Sequence, residues 1–113
     1  MPEVHVWGTG KPTRDFIYVV DAAEGIVAAM ESYNKESPVN LGSGLEISIN
    51  ELANLIKKEV GSNAKIIFDT SKPDGQPRRS LNTSLAEKEF GFKSKTNFED
   101  GIRKTIKWYL KNK

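Results

Sequence analysis

Two Gly/Pro-rich polar segments hold most of the residues in this chain that are able to grip a charged small molecule. The first, Trp7-Gly8-Thr9-Gly10-Lys11-Pro12-Thr13-Arg14-Asp15, runs into the apolar stretch Phe16-Ile17-Tyr18-Val19. The second, Lys72-Pro73-Asp74-Gly75-Gln76-Pro77-Arg78-Arg79, is stiffened by two prolines and carries three cations. An indole stacks on a base or packs on a ribose. A guanidinium meets a diphosphate with a planar fork of donors, where an ammonium offers only a point charge. A carboxylate such as Asp74 accepts from sugar hydroxyls. Trp7, Arg14, Asp74 and Arg78 are therefore the candidate binding residues, and Arg79 is an alternative to Arg78 on phosphate. The same residues also suit a core tryptophan, a structural ion pair and an ordinary surface turn. Chemistry alone leaves both descriptions open.

No complete catalytic set accompanies these segments. The chain has no cysteine, which excludes a disulfide framework, thiolate catalysis and cysteine-ligated zinc. Its one histidine, His5, sits in an apparent strand without an obvious carboxylate partner and reads as structural, so neither a Ser-His-Asp arrangement nor a His-rich metal site can be assembled. Gly42-Ser43-Gly44 follows a strand but lacks the third glycine of a dinucleotide loop, and reads as a strand-ending turn. Tyr109 and Lys113 have the spacing at which a lysine depresses a tyrosine pKa, but they fall in a fraying C-terminal turn and Tyr109 continues an apolar stripe. The expectation is no catalytic residue, no metal ligand, and no cofactor bound by this chain alone.

The 113 residues bound the answer to one domain or a piece of one, enough to bury about two thirds of the unfolded surface. Four capping boxes punctuate the sequence, at Asp21/Glu24, Ser48/Glu51, Ser84/Glu87 and Thr96/Glu99. Apolar residues recur at helical spacing after each of the first two and the last, with Gly61 as a stop for the second; the third opens a short helix ending near Phe90-Gly91. Between them Val4–Trp7, Phe16–Val19, Val39–Leu41 and Ala64–Phe68 read as strands. Strands alternating with helices make an α/β unit, expected to be a single one over residues 1–113.

Net charge is +2, but residues 1–46 carry three cations against seven acids and residues 47–113 fourteen cations against eight acids. The basic part can attract phosphate. Arg103, Lys104, Lys107 and Lys111 nonetheless read as the solvated face of the last helix, because exposed aromatics and nucleic-acid motifs do not interleave with them. No apolar run approaches a membrane span, and Met1-Pro2-Glu3 begins no signal peptide. The expectation is a cytoplasmic chain with no membrane partner and no nucleic-acid partner.

Several motifs then carry a resemblance. Trp7–Val19 followed by Asp21-Ala22-Ala23 resembles the segment that opens the C-terminal substrate lobe of extended short-chain dehydrogenases/reductases. Asn40-Leu41-Gly42-Ser43-Gly44 and Ile47-Ser48-Ile49-Asn50-Glu51-Leu52 resemble the next strand and helix, and Glu99–Leu110 the final helix. Phe68–Arg79 is the sharpest match, similar to the GDP-L-fucose synthase branch of the NAD-dependent epimerase/dehydratase family.

The resemblance implies the fold of a compact C-terminal substrate-binding lobe lacking the N-terminal Rossmann portion. It implies a nucleotide-diphosphate sugar, a GDP-sugar by the closest motif, held by Trp7, Arg14, Asp74 and Arg78. NAD(P) is implied for the full-length enzyme, whose cofactor glycines and catalytic Tyr-x-x-x-Lys belong to the family's N-terminal portion. The chain is then a fragment, catalytically incomplete alone, whose partners are that missing portion and, through the freed Val39–Leu41 edge, a further copy of itself. The alternatives are a stand-alone non-catalytic nucleotide-sugar or protein-interaction module, and a weak nucleic-acid binder. Val20 and Asn82 depart from the family pattern, each removing a carboxylate; the first is expected to alter the helix start at Asp21 and the second to loosen the turn after Arg79.

Overall fold

The β-branched and aromatic residues at Val4–Trp7 and Ala64–Phe68 form strands as expected, and the two strands pair with each other. β1 (Glu3–Trp7) lies parallel to β4 (Lys65–Asp69), in register from Glu3 with Lys65 to Trp7 with Asp69. The computed structural model describes residues 2–113. Met1, part of the segment read as no leader, lies outside them. Among the described residues no helix is long and apolar enough to cross a membrane.

Parallel strands need a long crossover, and here it contains a second small sheet. β2 (Thr13–Asp15) pairs antiparallel with β3 (Glu46–Ser48), with α1 (Val19–Ser32) between them, and β3 runs directly into α2 (Ile49–Val60). After β4 come α3 (Ser84–Phe90), packed on α1, and α4 (Phe98–Asn112), packed on α2.

Two strand expectations fail. At Phe16–Val19 the strand lies earlier, at Thr13–Asp15, because β3 offers a ladder only to those residues; Tyr18 already caps α1, its carbonyl accepting from the Ala22 amide at 3.0 Å. Val39–Leu41 is extended in composition but unpaired, with no neighbouring strand among the described residues. The strand that does form there, β3, begins beyond a turn at Gly44 (φ +76°), a conformation glycine adopts without strain.

Of the four capping boxes only one is built. The Ser48 hydroxyl accepts from the Glu51 amide at 3.1 Å and the Glu51 carboxylate accepts from the Ser48 amide at 3.4 Å. Asp21 and Thr96, each expected to start a helix, instead bind each other. Asp21 is 3% exposed and accepts from the Thr96 amide (2.9 Å), the Thr96 hydroxyl and the Ser94 hydroxyl (both 3.0 Å), tying α1 to the segment before α4. α4 is capped by Asn97, which accepts from the Glu99 amide at 2.9 Å. At α3 the Ser84 amide and hydroxyl both donate to Asn82 Oδ1, at 3.0 and 2.7 Å. The amide oxygen of Asn82 thus does what a carboxylate would, and the turn is not loosened. Nor does Val20 disturb the helix start, which lies one residue before it.

Little apolar surface is enclosed. Ala64, Ala86 and Phe92 are the buried apolar residues. The body measures 53 × 33 × 20 Å and exposes 8144 Å², against about 6,200 Å² expected of a self-sufficient protein of this mass. The excess is apolar in large part: Val19, Met30, Trp7, Trp108 and Tyr109 are each at least 60% exposed.

Candidate functional site

Parallel pairing brings the carboxyl ends of β1 and β4 to the same edge, so the loops that follow them emerge side by side. These are the two polar segments singled out from the sequence. The Gly8 amide donates to the Asp69 carbonyl at 2.9 Å, extending the pairing by one residue. Asp74 then closes the gap: Oδ1 accepts from the Thr9 amide at 2.6 Å and Oδ2 from the Thr9 hydroxyl at 2.8 Å. Gly8 (φ +89°) is required here, since a Cβ would lie 2.0 Å from Asp74 Oδ1. Further along, the Thr13 amide donates to the Pro77 carbonyl (3.1 Å) and the Arg79 amide to the Thr13 carbonyl (3.0 Å), which stitches the second loop to β2.

Arg14 stands at this seam, half-buried. Its Nη1 donates to the Thr13 carbonyl at 2.7 Å and the Gln76 carbonyl at 2.8 Å, so one branch of the fork is anchored by backbone. Nε and Nη2 make no hydrogen bond among the described residues. Arg78 is engaged more fully. Nε donates to Glu46 Oε1 at 2.7 Å, Nη2 donates to the same oxygen, and Glu46 Oε2 accepts from the Thr13 hydroxyl at 2.8 Å. The Arg78 bond holds the Glu46 carboxyl below its ordinary range, with the Thr13 hydroxyl adding to it, and Glu46 in turn raises the Arg78 pKa. Arg79 Nε donates to Gln76 Oε1 at 3.2 Å.

Trp7 is 67% exposed, with the Lys72 ammonium 5.3 Å from its ring centre. The Asp69 carboxylate beside them accepts from the Ser71 hydroxyl and amide, which holds its pKa below the usual value.

The structure therefore brings Trp7, Arg14, Asp74 and Arg78 to one edge. Arg14 and Trp7 keep free surface, whereas Asp74 and Arg78 spend their principal contacts on Thr9 and Glu46. Two participants escaped the sequence reading: Thr9, the other half of the Asp74 clasp, and the pairing of Lys72 with Trp7. Neither leaves a local signal, because each partner lies 65 residues from the other.

The remaining motifs resolve differently. His5 does have a carboxylate neighbour, Glu3 at 3.3 Å, but both are exposed and on the same strand. Gly42-Ser43-Gly44 is no free anion loop: the Ser43 and Gly44 amides donate to the Asp15 carboxylate at 2.9 and 3.0 Å. Arg103 is exposed, as expected of a solvated face, but it is also ion-paired. It binds Glu59 at 2.9 Å, Asp100 at 2.7 Å and Glu99 at 3.2 Å, pinning α4 to α2. A separate hollow of about 380 Å³ between Phe16–Tyr18 and the start of α4 is lined by none of the candidate binding residues. Most of its hydroxyls are already bonded, Ser94 and Thr96 to Asp21, Ser43 to Asp15 and Thr105 to the Gly101 carbonyl, while that of Tyr18 makes no hydrogen bond among the described residues. Among the described residues no group of side chains is placed to hold a metal ion.

Residues 2–42 match the NAD dependent epimerase/dehydratase family. GDP-L-fucose synthase 1 of Arabidopsis thaliana is 44% identical over 97% of this chain and 34% of its own length. The GDP-L-fucose synthase of Escherichia coli is 36% identical over 98% of this chain and 37% of its own. Among solved structures, a GDP-L-fucose synthetase from Naegleria fowleri bound to NADP superimposes with a TM-score of 0.87 at 35% identity, covering 96% of this chain and 34% of that one. The chain spans about a third of the length of the relatives it matches, and the match is to their C-terminal portion.

Proposed function

We propose that this chain is the C-terminal portion of a member of the NAD-dependent epimerase/dehydratase family of extended short-chain dehydrogenases/reductases, and that it supplies the nucleotide-sugar side of a cleft whose other side is the family's Rossmann portion. The observation that carries this is the clasped pair of loops at the carboxyl ends of β1 and β4, where open α/β sheets bind their ligands. Trp7 offers an indole face to base or ribose. Arg14, with Nη1 anchored, presents Nε and Nη2 to diphosphate oxygens, and an anchored fork loses little freedom on binding. Asp74 keeps the lone pairs that Thr9 does not use for a sugar hydroxyl. Arg78, balanced by Glu46, sets the position of the second loop and adds less charge to the site. GDP is the favoured nucleotide, because the relatives that align over nearly the whole chain are GDP-L-fucose synthases.

NAD(P), which the family implies, finds no fit on these residues. Both Gly-x-Gly turns spend amides within the fold and lead to strands, Gly42-Ser43-Gly44 donating to Asp15 and Gly8-Thr9-Gly10 to Asp69 and Asp74, whereas a pyrophosphate needs free amides at a helix N-terminus. The assignment of cofactor binding to the other portion of the enzyme rests on this. The surplus of exposed apolar surface supports a chain that functions within a larger assembly over a stand-alone module. A reducing, cytoplasmic setting accords with the absence of cysteine.

An NMR titration with GDP, a GDP-sugar and a short oligonucleotide tests the proposal. With half the cleft present, affinity is expected in the millimolar range, about 4 kcal/mol. Shifts should centre on Trp7, Arg14 and Asp74, be lost in Arg14→Ala, and persist in Lys88→Ala on remote α3. An absence of GDP-induced shifts at those three residues overturns the proposal, and tighter binding of the oligonucleotide replaces it with the nucleic-acid reading.

A further inference from the structure

One carboxylate, outside both polar segments, joins the three stretches of backbone on which Arg14 depends. Arg14 lies in β2, flanked on one side by β3, where it faces Ile47. On the other side runs the second loop, where Thr13 and Arg78 form a parallel bridge. That loop also supplies the Gln76 carbonyl that takes Arg14 Nη1. Its backbone meets β2 at Thr13, whose amide donates to the Pro77 carbonyl and whose carbonyl accepts from the Arg79 amide.

Glu46 of β3 reinforces this seam from the far side. It stands opposite Asp15, so Thr13 is its diagonal neighbour on the same face of the pair. From there the carboxylate reaches across β2. Oε2 accepts from the Thr13 hydroxyl at 2.8 Å, and Oε1 accepts from Arg78 Nε at 2.7 Å and from Arg78 Nη2. Arg78 has no other ion-pair partner among the described residues. Three donors take up most of what a carboxylate can accept, so Glu46 is placed to hold its neighbours and not a ligand.

We propose that Glu46 is a positioning residue for phosphate recognition, a role that rests on the nucleotide site described above: by holding Thr13 and Arg78 together it fixes the second loop against β2, and with it the carbonyl that pins one branch of the Arg14 fork. Without Glu46 that fork is ordered only when the ligand arrives, and the ordering is taken out of the affinity. The sign of the effect separates positioning from charge. On charge alone, removing an acid from beside a phosphate tightens binding. Positioning gives the reverse.

NMR of the isotope-labelled chain, free and with GDP, tests this. In free Glu46→Ala the Thr13 and Arg79 amides should exchange faster with solvent, and the Arg14 guanidinium signal should broaden. The α1 and α4 amides should be unchanged, which separates a loosened loop from an unfolded chain. GDP affinity should fall about two- to tenfold, the cost of ordering one further side chain. Glu46→Gln is the rescue. Both Arg78 donors fall on one oxygen, which the amide group keeps, and its nitrogen can turn to the Thr13 oxygen. That variant should keep the slow exchange and bind GDP at least as well as wild type. Thr13→Val, which takes only the hydroxyl from the carboxylate, should shift exchange and affinity in the direction of Glu46→Ala, and it carries the test if Glu46→Ala does not fold. Tighter or unchanged GDP binding in Glu46→Ala, or unchanged exchange at Thr13 and Arg79, overturns the positioning role while the nucleotide site stands. A wild-type chain in which GDP shifts none of Trp7, Arg14 and Asp74 overturns the site, and this role with it.

Discussion

Asp21 shows how much a single side chain can join. Its carboxylate is the polar group common to α1 and the segment leading into α4, and it is buried with three donors on it. Removing it strands the Ser94 and Thr96 donors, and hydrogen bonds to a charged group are worth about 1.5–3 kcal/mol each in the folded protein. Asp21→Ala is therefore expected to lower the unfolding free energy by about 2–3 kcal/mol in urea denaturation. The pH dependence follows from the same contacts. Burial pushes the Asp21 carboxyl up, but the Thr96 amide, the Thr96 and Ser94 hydroxyls and the Lys104 charge outweigh it, leaving its pKa below the ordinary 3.8. A depressed folded pKa means its contribution is whole above that ordinary value and is lost as pH falls through the folded one. Stability measured from pH 6 downward should therefore drop below about pH 4 in the wild type. In Asp21→Asn this part of the drop should be missing. None of this was legible in the sequence, where Asp21 and Thr96 each looked like the start of a capping box. Their true partners lie 73 and 75 residues away, beyond the reach of any local rule.

At the level of elements, legibility followed locality. α2 was readable because its cap, its apolar spacing and its stop lie within fourteen residues, from Ser48 to the left-handed Gly61 (φ +69°). α3 ended at Gly91 for the same reason. β1 and β4 were readable from composition, although their partnership was not. The Phe16–Val19 and Val39–Leu41 strands failed because apolar composition proposes a strand while only a neighbour with free backbone groups makes one. The candidate site divides likewise: its residues were singled out as candidates from type and spacing, but the commitment of Asp74 to Thr9 and of Arg78 to Glu46 depends on loops meeting in space. The capping boxes offer a direct comparison. Ser48→Ala should cost about 1 kcal/mol, since it removes a side-chain acceptor from a helix N-terminus. Ser84→Ala should cost about half as much or less, because the Ser84 hydroxyl caps nothing and its amide keeps Asn82. Chemical denaturation of the two variants side by side measures the difference.

The whole molecule is defined by surface it does not enclose. Among the described residues Ala64, Ala86 and Phe92 are the apolar residues that are buried, and α1, β1 and α4 leave large apolar side chains exposed. With no free-amide phosphate loop, the chain alone is expected to leave NADPH absorbance unchanged in the presence of a GDP-keto-deoxy sugar; turnover tracking the purified protein would contradict this. The Thr9–Asp74 clasp has a further consequence, in the order of folding. Closing a segment of 65 residues costs roughly 4 kcal/mol of chain entropy before the contact returns anything. Helix α2, complete within itself, can form far earlier. The edge where the two loops meet is then the last part of the molecule to be assembled and the first to be lost. In stopped-flow denaturation, Asp74→Ala should leave the refolding rate nearly unaltered and speed unfolding, with a φ-value near zero.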